Sequence, residues 1–328
     1  MLGLPEDILL LLFSYSGTQA LGSLAQVCRK FHSLISRDTL WRRIAKASLN
    51  TGITRLGRDT VPHIALKERV QVSQNWQRGR CRQEILLRWK CKDGKIIVCD
   101  TYNSFYAAYS AHNQEVNCID SRGHVIVSGS RDKTARIWSL SSNRLGESLH
   151  TIRTEDRVWS VAINPTLSSV MTGTACCGHA SPLRIWDLQS GQLESSLGSD
   201  FRRGAGVLDI LYETPSVVLT CGYDTYIRQW DMRASTRRSM MEWEEPHDSA
   251  LYCLQSDGNF MIASGSSRYG VVRLWDKRQT KTLQVFFLSS PSSSPVYCLR
   301  FTTSHLYAAL AHALYTLDFT TSEPRHEN

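Results

Sequence analysis

A tryptophan recurs at the end of a short apolar segment four times along the chain, and this repeat limits the folds that the sequence can adopt. The recurring residues are Trp138, Trp186, Trp230 and Trp275, which lie 48, 44 and 45 residues apart. An arginine stands two positions before each of them. A regular period in the forties indicates one supersecondary unit copied several times, because each copy is too small to bury its own apolar face.

The 111–140 stretch is the most complete copy and predicts the structure of one unit. Short apolar alternations separated by Gly, Ser and Asp turns predict strands at 116–119, 125–128 and 135–138, with a fourth at 144–150. Four strands per copy, with no helical segment between copies, are typical of a β-propeller. The first copy is only a stub ending near Cys99, and the last, at 306–317, has no tryptophan. We expect six to seven blades, some degenerate, with the ring completed partly by residues 77–90.

Polar residues within each copy are placed to form a hydrogen-bonded network around its tryptophan. The predicted network comprises His112, Ser128, Asp132 and Trp138; Thr172 and Trp186; Thr220, Asp224 and Trp230; and His247, Ser264 and Trp275. A serine, a histidine and an aspartate also resemble a catalytic triad, but a triad needs an exposed, activated hydroxyl. Because the set recurs by blade and ends on tryptophan, we interpret it as structural and expect no catalytic residues.

Residues at the start of each inner strand should form a ring near one mouth of the propeller channel. Aligning the copies places Asn117, Trp159, Leu208, Tyr252 and Tyr297 at this position, with gaps of 42, 49, 44 and 45 residues. The turns before the third strands add Arg131, Tyr223 and Arg268. Tryptophan, tyrosine and arginine are enriched at binding hot spots, so we predict a substrate-binding surface here. The alternative, for a residue such as Leu208, is packing between blades.

The N-terminal quarter is predicted to be helical and carries the positive charge of the chain. Residues 1–90 hold 15 Lys and Arg against 6 Asp and Glu, whereas residues 91–328 hold 23 against 24. Helices are expected from Pro5, Thr18 and Asp38, and another at 66–74. The apolar run 8–13 predicts a first helix buried on more than one side. Two interpretations stay open for the segment that precedes the predicted strand at 85–87. It is either a helical spacer that fixes a distance or a linker packed only for stability.

Nucleic acid, membrane, metal and cofactor are not expected as partners. The repeats are nearly neutral and contain no aromatic-and-basic strand motif. No apolar run approaches the roughly 18 residues of a membrane helix, and no basic leader precedes the N-terminal apolar run. The ten cysteines form no C-x-x-C pair, which favours cytoplasmic or nuclear residence over secretion. Cys176-Cys177-Gly178-His179 is interpreted as a loop, since adjacent cysteines chelate one ion poorly.

The N-terminal residues resemble the F-box family in order and spacing. The matching positions are Leu4-Pro5, Ile8, Leu12, Leu21, Leu24, Val27-Cys28-Arg29, Phe31, Leu34 and Leu40-Trp41-Arg42. The following Asn-Trp-x-x-Gly step at 75–79 is similar to F-box proteins with WD repeats, and the His–Ser–Asp–Trp set matches WD-repeat blades. The resemblance implies docking on the Skp adaptor of Skp–cullin–F-box ubiquitin ligases. The residues implied to form or support that surface are Leu4, Pro5, Ile8, Leu12, Val27, Cys28, Phe31 and Trp41.

Together these observations predict an α+β multidomain protein. The expected domains are an F-box at 1–45, a helical linker at 46–80, a WD-repeat propeller at 81–320 and a tail at 321–328. The resemblance implies a non-catalytic subunit that recognises protein substrates for a ubiquitin ligase and reaches cullin and RING subunits through the adaptor. The alternative is a WD-repeat scaffold outside any ligase. Related proteins read phosphorylated segments through arginines, and Arg131 matches one such position. Because the first-strand positions of the ring carry Asn, Trp, Leu and Tyr instead of arginine, an aromatic or apolar recognition segment is an equal alternative.

Overall fold

The computed structural model describes residues 4–88, 95–99, 105–140, 147–199, 201–247, 249–288, 293–311 and 313–321. Helices come first and strands follow. The five helices are α1 (Glu6–Ser14), α2 (Thr18–Ala25), α3 (Arg29–Ile35), α4 (Asp38–Ala47) and α5 (Leu66–Arg78). Within this part of the chain, no helix is both long and apolar enough to cross a bilayer. The predicted tail at 321–328 lies, apart from Thr321, outside the described residues.

The strands form five four-stranded antiparallel sheets, which we number as blades, and one hairpin. The hairpin is β2 (Lys95–Cys99) with β3 (Phe105–Ser110). Blade 1 is β4 (Val116–Arg122), β5 (Val125–Ser130), β6 (Thr134–Ser139) and β7 (Ser148–Arg153); blade 2 is β8 (Val158–Ile163), β9 (Ser169–Thr174), β10 (Leu183–Asp187) and β11 (Leu193–Leu197). Blade 3 is β12 (Val207–Tyr212), β13 (Val217–Gly222), β14 (Tyr226–Asp231) and β15 (Met241–Glu244); blade 4 is β16 (Leu251–Ser256), β17 (Met261–Ser266), β18 (Val271–Asp276) and β19 (Thr282–Phe287). Blade 5 is β20 (Cys298–Phe301), β21 (His305–Ala309) and β22 (Ala313–Asp318), with β1 (Arg82–Arg88) as its outer strand.

The last blade is completed by a strand from the start of the repeat region. β1 pairs antiparallel with β22, with Arg82 opposite Asp318 and Ile85 opposite Tyr315. Residues 82–88 of the predicted 77–90 segment therefore supply the fourth strand of blade 5. This pairing joins two segments more than 200 residues apart and leaves no unpaired edge on β22.

The described blades number fewer than the predicted six or seven. Five have four strands, while the stub expected before blade 1 appears as the hairpin of β2 and β3. The first strand of each blade packs against the first strand of the next from β4 through β8, β12 and β16 to β20, so these strands line the central channel. The inner strands of the end blades, β4 and β20, include exposed positions such as Ile119 and Arg300. β8, the second strand of the series, is buried at five of its six positions.

The helical region has its own core, and it contains one more helix than expected. Residues Thr18 to Ile35 follow a single helical pattern in sequence, but the structure ends α2 at Ala25 and begins α3 at Arg29. The break occurs at Cys28, whose backbone is extended and whose sulfur accepts a hydrogen bond from the Phe31 amide at 3.5 Å. This side-chain cap satisfies a free amide at the start of α3.

Helix α5 belongs to two cores at once. Val70 on its first half is buried with the helical core, whereas Trp76 on its second half is buried with the core of blades 4 and 5. The Trp76 ring stacks on Phe319 with centroids 3.6 Å apart, and its indole N–H donates to the Thr303 carbonyl at 2.9 Å. The helix ends at Gly79, which adopts the left-handed conformation with φ of 66°. The helical region is thus fixed on the propeller through α5.

Candidate functional site

One face of helix α1 presents an apolar stripe to the solvent. We call Ile8, Leu11, Leu12 and Tyr15 the α1 stripe; their exposed fractions are 46%, 56%, 45% and 70%. Their spacing of three, four and seven residues places them on one side of the helix. The opposite side carries Leu9 and Phe13, which are buried in the helical core. An unpaired apolar stripe on a helix is a typical surface for a protein partner.

The structure corrects the expectation that α1 is buried on more than one side. Only Leu9 and Phe13 are buried, because α3 and α4 cover a single face of the short helix. Leu11 and Tyr15 were not among the predicted adaptor residues. Their i, i+3 and i+7 spacing from Ile8 was the available signal. The Arg43 guanidinium lies 3.9 Å from the centre of the Tyr15 ring and holds that ring in place.

The other predicted adaptor residues divide into exposed and supporting positions. Val27 is exposed at the turn after α2, and Pro5 is exposed at the start of α1, while Leu4 and Cys28 are half-buried. Two predicted residues lie in the helical core instead. Phe31 packs edge-on against Phe13 with centroids 5.1 Å apart, and Trp41 donates its indole N–H to the Ile35 carbonyl at 2.6 Å. They support the surface and do not form it.

Four blades share the same hydrogen bond between an indole and a hydroxyl. The pairs are Trp138 with Ser128, Trp186 with Thr172, Trp230 with Thr220 and Trp275 with Ser264, at 2.8 to 2.9 Å. All eight side chains are buried. A buried indole N–H needs an acceptor, and a hydroxyl on the neighbouring strand supplies it. The structure thus brings each predicted tryptophan and hydroxyl residue together, and their hydrogen bond repeats from blade to blade.

Blade 1 extends this bond into the full predicted network. His112 Nε2 lies 2.8 Å from the Ser128 hydroxyl, and Nδ1 lies 3.1 Å from an Asp132 carboxylate oxygen. Burial lowers the pKa of His112, against the opposing influence of the Asp132 carboxylate. The Ser128 hydroxyl is fully buried and is shared between histidine and tryptophan. The polar side chains of this network are therefore occupied by hydrogen bonds within the blade.

Two predicted members of the network take other roles. His247 is exposed, and the buried polar position of its blade is filled by Glu245, whose Oε1 lies 2.6 Å from the Arg273 guanidinium. Glu245 also accepts the backbone amide of His247 at 2.8 Å. The prediction for His247 is wrong because a buried carboxylate paired with arginine already satisfies this site. Asp224 forms an ion pair with Arg228, since its blade has no histidine to receive it.

The insertion at 175–181 is a packed loop on the side of the propeller where inner strands begin. Asp156 accepts the Cys177 amide at 2.6 Å, and the Arg203 Nε donates to the Cys177 carbonyl at 3.1 Å. Across the described part of the chain, no cluster of three or more histidine, cysteine or acidic side chains is arranged to hold a metal ion.

A β-bulge marks the predicted ring position in four consecutive blades. The register between the inner strand and its neighbour shifts at Asn117, Trp159, Leu208 and Tyr252. A bulge inserts one extra residue and changes the direction of its side chain. In blade 5 the corresponding Tyr297 stands just before β20, and its amide donates to the Ala309 carbonyl at 2.8 Å. Blades 1 to 4 therefore each turn one residue out of the ladder at the same end.

Four of the seven predicted substrate-binding residues form a continuous series. We call Trp159, Tyr223, Tyr252 and Tyr297 the aromatic arc. Ring centroids are 6.4 Å apart from Trp159 to Tyr223, 6.4 Å from Tyr223 to Tyr252 and 6.0 Å from Tyr252 to Tyr297. These distances, with two edge-to-face contacts, are those that aromatic pairs favour. Burial and the neighbouring Tyr252 raise the pKa of Tyr223, so its hydroxyl stays protonated at neutral pH.

The remaining predicted ring residues lie outside the arc. Asn117 donates from its side-chain amide to the Val158 carbonyl at 2.8 Å and thereby ties blade 1 to blade 2. Arg131 is exposed and lies 3.4 Å from the Glu115 carboxylate, and Arg268 is exposed on the turn before β18. Leu208 is half-buried, and Tyr223 from the same blade supplies the aromatic ring instead.

Close backbone packing supports Tyr223 from below. A Cβ atom on Gly222 would lie 2.0 Å from the Gly206 carbonyl oxygen, and one on Gly206 would lie 2.9 Å from the Ala175 backbone. The Tyr223 amide donates to the same Gly206 carbonyl at 2.9 Å. Glycine is required at both positions because no side chain fits between these segments. Sequence comparison of the copies did not reveal this contact.

Carboxylates bridge neighbouring inner strands below the arc. Asp120 accepts the Ile163 amide of blade 2 at 2.8 Å, and Asp209 accepts the Leu254 amide of blade 4 at 2.8 Å. Burial raises the pKa of Asp209 to about 6, although these backbone hydrogen bonds favour its ionised form. Sequence reasoning missed both residues; a single charge within an apolar strand was the available signal.

The helical region and the arc lie on opposite faces of the propeller. The arc stands where inner strands begin. The helices contact the turns where they end: Asn50 bonds to Asp257 at 2.9 Å and to Thr302 at 2.8 Å, and Asn259 bonds to the Lys46 carbonyl at 3.2 Å. A six-residue strand spans about 20 Å, so the two surfaces are separated by at least the thickness of a blade.

Comparison with known proteins agrees with this architecture. Residues 1–47 match the F-box-like family model, and residues 103–139 and 241–276 match the model of the WD domain, G-beta repeat. F-box/WD repeat-containing protein 4, also called dactylin, is 54% identical over 379 residues in both human and mouse, covering 96% of this chain and 92% of the relative. Human F-box/WD repeat-containing protein 9 is 24% identical and covers 83% of this chain.

Solved structures show the same propeller fold. The WD40 β-propeller domain of Doa1 superposes with a TM-score of 0.55 at 18% identity, covering 71% of this chain and 73% of that domain. The alignment with the human relative is 51 positions longer than this chain of 328 residues, which exceeds one repeat period. The alignment therefore contains gaps in this chain.

The matched families and relatives support a substrate-recognition role for an F-box protein. Identity of 54% across nearly the whole of both chains is far above what a shared fold alone requires. This chain belongs to the F-box/WD-repeat family.

Proposed function

We propose that this chain is the substrate-recognition subunit of a Skp–cullin–F-box ubiquitin ligase. The α1 stripe docks on the Skp adaptor, and the propeller face that carries the aromatic arc binds a segment of the substrate. One observation carries the proposal: two exposed apolar surfaces lie on opposite faces of one body, and buried Trp76 fixes the distance between them.

The proposed mechanism is proximity, with no chemistry in the chain itself. Holding the adaptor at one end and the substrate at the other raises the effective concentration of substrate lysines near the charged conjugating enzyme. Rigid attachment matters because a flexible linker would lower that concentration. Helix α5 supports this role, since its two halves are buried in the two cores that it joins.

Substitution on the α1 stripe tests the proposal. Ile8→Asp combined with Leu12→Asp places two charges on the proposed adaptor surface. We expect adaptor and cullin association to fall at least about a hundredfold, as for central hot-spot residues. Leu193→Asp with Phe287→Asp is the matched control, because these residues are equally exposed apolar positions on the propeller.

The measurement is co-purification of coexpressed Skp adaptor and cullin, followed by ubiquitin transfer in the reconstituted complex. Association that persists in the stripe variant would refute this docking surface, and so would an equal loss of association in the control. A wild-type chain that binds neither adaptor nor cullin would instead identify a scaffold outside the ligase. The cytoplasmic or nuclear location expected from the cysteines is part of the same proposal and is tested by microscopy of the tagged chain.

A further inference from the structure

We infer that the propeller mouth recognises an unphosphorylated substrate segment through one large apolar side chain, aromatic or long aliphatic, packed on the aromatic arc. The inference rests on the proposed function in one respect, because ubiquitin transfer is the expected consequence of binding the segment. Binding of the segment itself is tested separately.

The arc offers a continuous apolar surface at the centre of the mouth. Its four rings touch in sequence from blade 2 to blade 5, and two of them, Tyr223 and Tyr297, are exposed by 39% and 55%. The bulges that carry Trp159 and Tyr252 fix the backbone at those positions. A rigid aromatic platform loses little conformational entropy on binding, which is why such residues dominate hot spots.

The charges around the arc disfavour a phosphate group. A phosphate needs several convergent cations, yet three arginines of the blades are already paired with carboxylates: Arg131 with Glu115, Arg184 with Glu155 and Arg273 with Glu245. Two further carboxylates, Asp120 and Asp209, lie in the inner strands below the arc. Their negative charge would repel a phosphate dianion entering the channel.

Exposed arginines on the mouth side define the competing outcome. Arg157, Arg202, Arg203 and Arg268 form no ion pair with a carboxylate among the described residues. Arg157 and Arg268 stand at the start of β8 and before β18, and Arg202 and Arg203 precede β12. If the mouth read phosphate, these side chains would be its readers. The present inference assigns them only a peripheral role in binding an acidic flank.

The test uses the full chain in complex with its adaptor and an oriented peptide library. In this library each position is fixed in turn to one standard amino acid, phosphoserine or phosphothreonine. We expect selection for Trp, Phe, Leu or Met at one position, with no gain from phosphate. Selection for a phosphorylated residue, or no selection at all, overturns the inference. Adaptor retention is read in the same sample, so failure of the proposed function is seen independently.

Variants then assign the selected peptide to the arc. Tyr297→Ala should weaken its binding at least about tenfold, because a truncated central hot spot costs that much. Phe287→Ala is the matched control, since Phe287 is an exposed aromatic residue of blade 4 outside the arc. Arg157→Glu with Arg268→Glu should change binding by less than Tyr297→Ala does. The opposite order overturns the inference. Tyr297 is largely exposed, so its truncation leaves the folded blade intact and the result is interpretable.

Discussion

The α1 stripe and the aromatic arc are both exposed apolar surfaces, but they are built in different ways. All residues of the stripe lie within two turns of one helix, and the opposite face of that helix anchors them through Leu9 and Phe13. The residues of the arc come from four blades, and their order in space depends on how those blades pack. The stripe is a local structure, whereas the arc is a tertiary one.

The two surfaces should therefore be lost through different kinds of substitution. A local surface survives as long as its helix is folded, because helical spacing alone keeps its side chains together. A tertiary surface can be lost through changes at residues that never touch a ligand, since adjacent blades must keep their spacing. We therefore expect substitutions in the propeller interior to affect the arc while leaving the stripe intact.

Removing the link between the two surfaces should have the largest effect. Trp76→Ala removes a fully buried indole that stacks on Phe319. We expect the free energy of unfolding to fall by about 3–5 kcal/mol, as for buried aromatic residues. Chemical denaturation measures this change, and Trp76→Phe, which keeps a ring but loses the bond to Thr303, should cost about 1 kcal/mol.

In the reconstituted complex, Trp76→Ala should reduce ubiquitin transfer more than it reduces adaptor binding or peptide binding. Each surface remains, but their separation is no longer fixed. Equal stability of Trp76→Ala and the wild type would show that α5 is not the structural link.

Asp209 should make the stability of the propeller depend on pH. Because burial raises the pKa of this carboxyl to about 6, the folded chain holds a proton that the unfolded chain has released above pH 3.8. Its contribution is present at low pH and is lost as the pH rises through about 6, by about 3 kcal/mol in all. Asp209→Asn should remove that dependence.

Denaturation at pH values on either side of about 6 provides the measurement for Asp209. The contribution of Asp209 to the pH profile should be absent from the Asn variant, while adaptor binding through the α1 stripe stays the same. A wild-type profile in Asp209→Asn would contradict the prediction.

Adding a side chain at Gly222, below Tyr223, should disturb the arc and leave the α1 stripe intact. A Cβ atom on Gly222 would lie 2.0 Å from the Gly206 carbonyl oxygen, so Gly222→Ala must move backbone. We expect a loss of about 1–3 kcal/mol in the free energy of unfolding and weaker binding of the selected peptide. Gly22→Ala in α2 is the control, because a Cβ there meets nothing within 4 Å. Full peptide binding by Gly222→Ala would exclude this support role.

The smallest effect is expected at His112, in the blade that contributes no ring to the arc. Burial lowers the pKa of His112, so the unfolded chain gains a proton below pH 6.5 while the folded chain remains neutral. Its contribution is present above that pH and is lost as the pH falls, opposite in direction to that of Asp209. His112→Gln should remove this dependence and cost about 1–2 kcal/mol.

Thermal unfolding across this pH range measures the His112 effect. Peptide binding at neutral pH should change little in the variant. A large loss of peptide binding would show that blade 1 controls the arc as strongly as blade 3 does.

Within the blades, the sequence predicted the hydrogen bonds that recur in several copies. It did not predict the ion pair that replaces the expected histidine in one copy. The hydroxyl that receives each indole could be found because it stands at a similar distance before every tryptophan. Glu245 could not, because its partner Arg273 lies 28 positions away along the chain, and the comparable pair of Glu155 with Arg184 spans 29 positions. Only the packed blade shows that this ion pair displaces His247.

The sequence by itself determined the repeat period, the hydroxyl–indole bond of four blades and the F-box pattern of the helices. These are local features, because spacing along one strand or helix fixes which side chains share a face. The tertiary structure alone decided the rest. It showed which face of α1 remains uncovered, that β1 completes blade 5, and that Tyr223 takes the place of Leu208 in the arc. These outcomes depend on contacts between distant segments, which no local period encodes.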